Sequence, residues 1–354
     1  MGRSHRLLLT AVLLTAGCAL GGPHAVAQTE PPKPAEIVVN ASGGAQEAGA
    51  RKAFYEEFEK RTGIKVVATS PPNFAKLAAM VKAGSVEWTI AELDIEEAIR
   101  AEQMGLLEPI DDKIVDRSRF PGEARTRKYV FSRAVYSTVM GYRTDAWPAG
   151  RGPKDWKDFW DTAKFPGPRA MQNRPVDNLE FALLADGVAP DKLYPLDVER
   201  AYRSLDKIKK HVAVWWKTGA QSAQLLIDKE VVLGTAWNGR YFAAISKGAP
   251  IHVEWNQGSL KESAFVIPKG AKDAYWGQRL FAVMTEAKLQ AVYANFATYP
   301  GLNLDSIQFT DPKIAPQLPT HPANLPRQFW QDARWWADNG AAMEERWAKW
   351  VIAK

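Results

Sequence analysis

The strongest constraint on the fold is a strand–helix–strand unit near the start of the chain. EIVVNA (Glu36–Ala41) is rich in β-formers, and Gly43–Gly44 breaks it. Ala50, Phe54 and Phe58 then recur at i, i+4 and i+8, one face of a helix. Gly63 stands where a left-handed helix stop is expected, and IKVVAT (Ile64–Thr69) is a strand again. Two strands joined through a helix should be parallel neighbours with a right-handed crossover.

The pattern repeats in kind. WTIAE (Trp88–Glu92) reads as a strand, and Asp94 with Glu97 forms a capping box for a helix to Gly105. VVLGTAW (Val231–Trp237) is a strand, with Asn238 as N-cap of a helix ending near Gly248. PIHVEW (Pro250–Trp255) is the next strand, and Asp273 caps a long helix through about Phe296. Proline-rich Asp311–Pro326 reads as an extended strap, and a Trp-rich helix from about Arg327 to Ala353 closes the chain. Alternating strands and helices predict an α/β fold with mainly parallel sheets flanked by helices, and the length suits two lobes. Ligands of such sheets bind outside the carboxyl ends of the strands. If the strands share a sheet or face each other across a cleft, Asn40–Gly44, Glu92–Asp94, Trp237 and Trp255 fall on one rim.

Arg3, His5 and Arg6, the uncharged run Leu7–Leu20 and the small residues Ala25–Ala27 have the layout of a secretory signal peptide over residues 1–27. The run is short of the roughly 20 residues a membrane anchor needs. Processing as a lipoprotein at Cys18 is the weaker alternative, since Thr15 stands where leucine is usual. A Pro-rich tether, residues 28–35, follows. Cys18 is the single cysteine, so the chain after Ala27 is expected to carry no disulfide and no thiol nucleophile. The formal charge of +6 is spread among interspersed signs and describes a solvated surface, not a nucleic-acid stripe. His211, His252 and His321 are not at zinc-ligand spacing, and nucleophile-elbow, phosphate-loop and dinucleotide signatures are absent from the sequence. No cofactor, no metal and no catalytic residue is therefore expected.

FYEEFEKRTGIKVV, GLLEPID (Gly105–Asp111), VVLGTAWNGRYFAAISKGAPIHVEW, FVIPKGA (Phe265–Ala271) and YPGLN (Tyr299–Asn303) occur in the order found in periplasmic substrate-binding proteins of ABC importers. The chain most resembles the spermidine/putrescine-binding branch. That resemblance implies a two-lobed, type II-like binding protein, a monomer in the periplasm, whose lobes close on a small molecule and hand it to a membrane permease. It implies crossing segments near Ser132–Tyr142, Glu254–Glu262 and Tyr299–Asn303. The first lobe would be 36–134 plus 256–298, and the second 135–255 plus 299–354.

The resemblance also places Trp237 and Trp255 as an aromatic box for an amine, with carboxylates on its ammonium ends. A cation over an indole face gains roughly 0.5–2 kcal/mol. The carboxylate pool is Glu92, Asp94, Asp177, Glu180 and Glu262. A gap-free count puts Ser263 at the family's acidic position, and a slip of one puts Glu262 there. Gln221 and Ser222 are further candidates. Arg174 is foreign to a polyamine site and favours a ligand that also carries a carboxylate, such as an ω-amino acid. The expectation is a polyamine receptor, with the ω-amino acid as alternative and a secreted two-lobed enzyme as the weakest reading.

Overall fold

The computed structural model describes residues 30–353. The apolar run, the Ala25–Ala27 signal, Cys18 and the start of the tether lie outside the described residues. Among the described residues, no helix is long and apolar enough to cross a membrane.

The strands in chain order are β1 (Glu36–Asn40), β2 (Lys65–Thr69), β3 (Ile90–Asp94), β4 (Phe131–Arg143), β5 (Arg169–Gln172), β6 (Val212–Trp216), β7 (Leu233–Trp237), β8 (Ile251–Val266) and β9 (Phe329–Trp330). They form one mixed sheet in the order β2-β1-β3-β8-β4-β7-β5-β6, with β9 beside β8. β1 pairs parallel with β2 and β3, as the opening strand–helix–strand unit requires. β5 likewise pairs parallel with β6 and β7. These two parallel wings are the sheets of the first and second lobes.

Between the wings run β4 and β8, antiparallel and 13 and 16 residues long. At about 3.3 Å per residue each spans more than 40 Å, enough to pass from one lobe into the other. A third connection lies alongside, where the Val135 amide donates to the Pro300 carbonyl at 2.9 Å. β8 does not stop at Trp255. Its register against β4 jumps opposite Val139 and leaves Trp255–Gly258 as a bulge, pinned where the Trp156 indole donates to the Gln257 carbonyl at 2.8 Å.

Each lobe's sheet is covered on both faces, and the alternation along β1 shows how. Ile37 and Val39 join Phe54, Phe58 and Phe281 on one face, while Val38 packs with Leu77, Trp88 and Leu93 on the other. The expected helix to Phe296 is two helices, Ala274–Met284 and Ala287–Ala297, and the closing helix is Ala333–Ile352. That last helix lies across both lobes: Trp336 and Trp347 sit in the second lobe's core and Ala337 in the first's.

Candidate functional site

The carboxyl ends of the parallel strands converge on a cleft between the lobes. Ser42 and Gln46 follow β1, Glu92 and Asp94 end β3, and Trp237 ends β7. Arg133 and Tyr136 come from β4, Ser263 from β8, and Tyr299 from the third connection. With Ala134 they surround about 390 Å³ of space that is partly open to solvent. An adjoining chamber shares Asp94, Tyr136 and Trp237 and reaches Gln172, Arg174 and Asp177 in the second lobe and Lys261 on β8.

The walls are aromatic. Tyr136 meets Trp237 edge-on at 6.3 Å and Tyr299 at 6.2 Å, and Trp216 backs the Trp237 indole at 5.8 Å. Burial raises the Tyr136 and Tyr299 hydroxyls well above an ordinary phenol, so both stay neutral. The WNG turn is fixed by close approach. A Cβ on Gly239 would lie 2.6 Å from the Tyr299 ring and 2.8 Å from the Ala297 carbonyl, so a larger residue would push the third connection off the hinge. Asn238 is not the N-cap; Trp237 is. The Asn238 side chain instead accepts from the Ser137 amide at 3.0 Å and donates to the Thr298 carbonyl at 2.9 Å, tying two crossing segments together.

Every carboxylate on the cleft already faces a cation. Glu92 accepts from Arg133 at 2.6 Å and from the Ser42 amide at 2.6 Å, and both ends of this ion pair are buried. Asp94 accepts from Tyr136 at 3.2 Å and from Arg174 at 2.9 Å. Its side chain makes no cap bond, so it does not serve as the capping-box residue the sequence led one to expect. Asp177 accepts from Lys261 and, at 2.7 Å, from Thr138. Asp177 is held at φ 70°, a costly conformation for a non-glycine residue and one that persists only where the surroundings impose it. Of the three, Asp94 is the most open, its side chain 33% exposed against 7% for Glu92 and 2% for Asp177.

Several donors are left over. Arg133 Nε and Ser263 Oγ, on cavity-lining residues, are buried without a hydrogen-bond partner, as is Nε of Arg240, whose guanidinium stands 6.0 Å over the Trp237 ring. Leaving such donors unpaired costs about 1–3 kcal/mol each, so a polar guest or water in the cleft would satisfy them.

Of the residues anticipated from sequence, Trp237, Glu92, Asp94 and Ser263 line the main cavity and Asp177 the adjoining chamber. The others lie elsewhere. Trp255 is in the second lobe's core, stacked on Phe242 at 5.8 Å, because β8 continues past it and it marks a bulge instead of a strand end. Glu262 alternates with Lys261 and Ser263 on β8, so it faces away from the cleft and binds Arg127 and Ser132. Gln221 turns back to the Lys217 amide at 2.9 Å, and Ser222 donates to the Gly219 carbonyl at 2.8 Å; neither lines the cleft.

Glu180 follows Asp177 by one helical turn and enters the core, accepting from Tyr194 at 2.6 Å and Trp336 at 2.7 Å. Burial, with some help from the Asp177 charge, pushes its carboxyl up to about 7 from 4.5. Between those values the folded chain keeps a proton that the unfolded chain has released, so this group's contribution to stability falls as pH rises from 4.5 to about 7. Glu180→Gln is expected to remove that decline. Urea unfolding should find the variant gaining up to about 3 kcal/mol on wild type between pH 4 and 8.

Arg133, Tyr136 and Lys261 were not legible as site residues. Arg133 reaches the cleft because the β4–β8 register shifts between Ser132 and Ala134, and a bulge re-aims a side chain without a signature in the sequence.

Residues 53–323 match the family model of bacterial extracellular solute-binding proteins. The gamma-aminobutyric acid-binding protein of Pseudomonas aeruginosa is 33% identical over 89% of this chain and 90% of its own. The spermidine/putrescine-binding periplasmic protein of Escherichia coli is 24% identical over 81% and 83%. Among solved structures, the Atu4243-GABA receptor superposes with a TM-score of 0.84 at 35% identity, over 90% of this chain and 98% of that one. MotA from A. tumefaciens B6 in complex with glucopine gives 0.83 at 29% identity, over 90% and 100%. AttC from Agrobacterium tumefaciens C58, in an open unliganded conformation, gives 0.69 at the same 29%, over 89% and 99%. The chain belongs to the bacterial extracellular solute-binding protein family, as a two-lobed receptor of the kind that serves ABC importers and not as an enzyme.

Proposed function

We propose that the ligand is a small ω-amino acid of the γ-aminobutyrate type, carrying one ammonium and one carboxylate, and that the receptor delivers it to an importer permease from the periplasm. One observation carries the choice over a polyamine: in the main cavity both carboxylates, Glu92 and Asp94, have a protein cation, while the buried groups left unpaired are the donors of Arg133 and Ser263. A diammonium would bring two charges to a cleft with no uncommitted anion, and an unpaired buried charge is costly. A zwitterion suits it better. Its ammonium would sit by Asp94 against the Trp237 and Tyr136 rings, and its carboxylate would take the donors of Arg133 and Ser263. The γ-aminobutyrate-binding relative, at 33% identity against 24% for the polyamine binder, supports the same reading. Closure would turn on the crossing strands β4 and β8, with lobes divided near 134 and 256 and the receptor acting as a monomer.

Thermal-shift and calorimetric titration with γ-aminobutyrate, putrescine, spermidine, butylamine and butyrate tests this. γ-Aminobutyrate at about 100 times its Kd should add about 3 kcal/mol and raise Tm by several degrees. Putrescine should bind at least about 100-fold more weakly, the cost of one unpaired ammonium. Tighter binding of putrescine than of γ-aminobutyrate would overturn the proposal and restore the polyamine reading.

A further inference from the structure

Arg174 follows β5 in the second lobe, yet its guanidinium is bound to the first. Nη1 donates to Asp94 at 2.9 Å and Nη2 lies 3.6 Å from Glu96 Oε1, both across the cleft. Nε donates to Glu344 at 3.3 Å, on the closing helix that spans both lobes. Behind it, a pocket bordered by Glu96, Glu97, Arg100 and Glu344 crowds carboxylates around two guanidiniums. Glu96 is 6% exposed and its Oε2 is buried with no donor. The glucopine complex of MotA superposes better than open AttC at equal identity, with TM-scores of 0.83 and 0.69.

We propose that Arg174 is a closure latch, a positioning residue that holds the lobes together across the cleft, and that closure is favoured when the carboxylates packed behind it take up a proton. The proposal rests on the receptor reading above, but not on which solute is bound. Asp94, Glu96, Glu97 and Glu344 meet the two guanidiniums of Arg100 and Arg174 here; a proton on Glu96 relieves its burial and its repulsion with Asp94, gives up the weaker attraction to Arg174, and leaves the Arg174–Asp94 pair intact.

The groups facing Glu96 come from every packed element. Asp94 ends β3, Glu97 and Arg100 share its helix Ile95–Gln103, and Glu344 comes from the closing helix. Arg174 and Asp177 follow β5, and Tyr136 of β4 and Lys261 of β8 close the cleft side. Burial first, then the Asp94 charge, pushes Glu96 up to about 8 and Glu97 up to about 7. Opening admits water and returns both toward the ordinary carboxylate range. Closing therefore takes up protons, and it is favoured as pH falls below about 8.

The test uses the full chain as wild type, Arg174→Gln, Arg174→Lys and Glu96→Gln. With γ-aminobutyrate as probe, Arg174→Gln should weaken binding about tenfold through faster dissociation, with partial rescue by Arg174→Lys. Wild-type affinity should fall several-fold from pH 6 to 8.5, and Glu96→Gln should be flat over that range. Hydrogen exchange on the unliganded chain supplies a readout independent of the probe: Arg174→Gln should speed exchange in both Ile95–Gln103 and residues 173–177. Unchanged exchange across the cleft in Arg174→Gln overturns the latch. Equal pH dependence in wild type and Glu96→Gln overturns the role of the proton. If γ-aminobutyrate fails to bind wild type while exchange changes as stated, the solute assignment fails and the latch stands.

Discussion

Replacing Lys261 with methionine is expected to lower the unfolding free energy by about 3–5 kcal/mol, because it strands the Asp177 carboxylate in the interior without its counter-ion. Both side chains are almost wholly buried, 3% and 2% exposed. Nζ also donates to Thr138 at 2.8 Å and lies 5.3 Å over the Tyr136 ring, so the ammonium's surroundings are filled on several sides. The loss should come mainly from the orphaned anion. Lys261→Met combined with Asp177→Asn should therefore recover a large part of it, since replacing both members of a buried pair is far milder than removing one. Urea denaturation of wild type, the single variant and the double variant at pH 7 measures this. A single variant within 1 kcal/mol of wild type, or a double variant no better than the single, would show that the pair is not the source of stability. The double variant should still bind poorly, because Lys261 and Asp177 line the chamber beside the ligand cavity.

The two tryptophans should separate cleanly. Trp237→Ala is expected to weaken ligand binding about 30- to 100-fold, the loss typical of removing an aromatic anchor at the centre of an interface. Trp255→Ala should leave affinity nearly unchanged below its melting temperature but lower stability by about 3–5 kcal/mol, the usual cost of deleting a buried Trp or Phe side chain. The physical difference is location. Trp237 is half-buried on the cleft, between Tyr136 and Trp216, whereas Trp255 is 6% exposed and stacked on Phe242 behind the sheet. Calorimetric titration with γ-aminobutyrate and chemical denaturation on both variants give the four numbers needed. Equal losses of affinity in the two variants would place Trp255 back at the ligand.

The strand–helix–strand rhythm around Glu36–Thr69 was legible because it is local. Side-chain periodicity reports which face of an element is buried, and a parallel pair joined by a helix admits one handedness. The ends of β3 and β7 were legible for the same reason, and with them Glu92, Asp94 and Trp237. What local pattern could not supply was the path of β8. Pro250–Trp255 reads as a strand ending in a tryptophan, but the strand bulges and runs on to Val266, which moves Trp255 into a core and turns Lys261 and Ser263 toward the cleft.

The charge partners depended still more on tertiary structure. A carboxylate in the sequence has no sign of whether a cation will stand beside it. Glu92 meets Arg133 41 residues away, Asp94 meets Arg174 80 residues away, and Asp177 meets Lys261 84 residues away. The sequence by itself determined the α/β fold class and where strands such as β3 and β7 end, since these follow from periodicity and strand direction within short windows, while the two lobes were implied by length and by the family resemblance. Only the packed structure decided which charges on the cleft are already neutralised and which donors remain unpaired. Coulombic pairing and desolvation depend on distances through space that the order of residues along the chain does not encode locally.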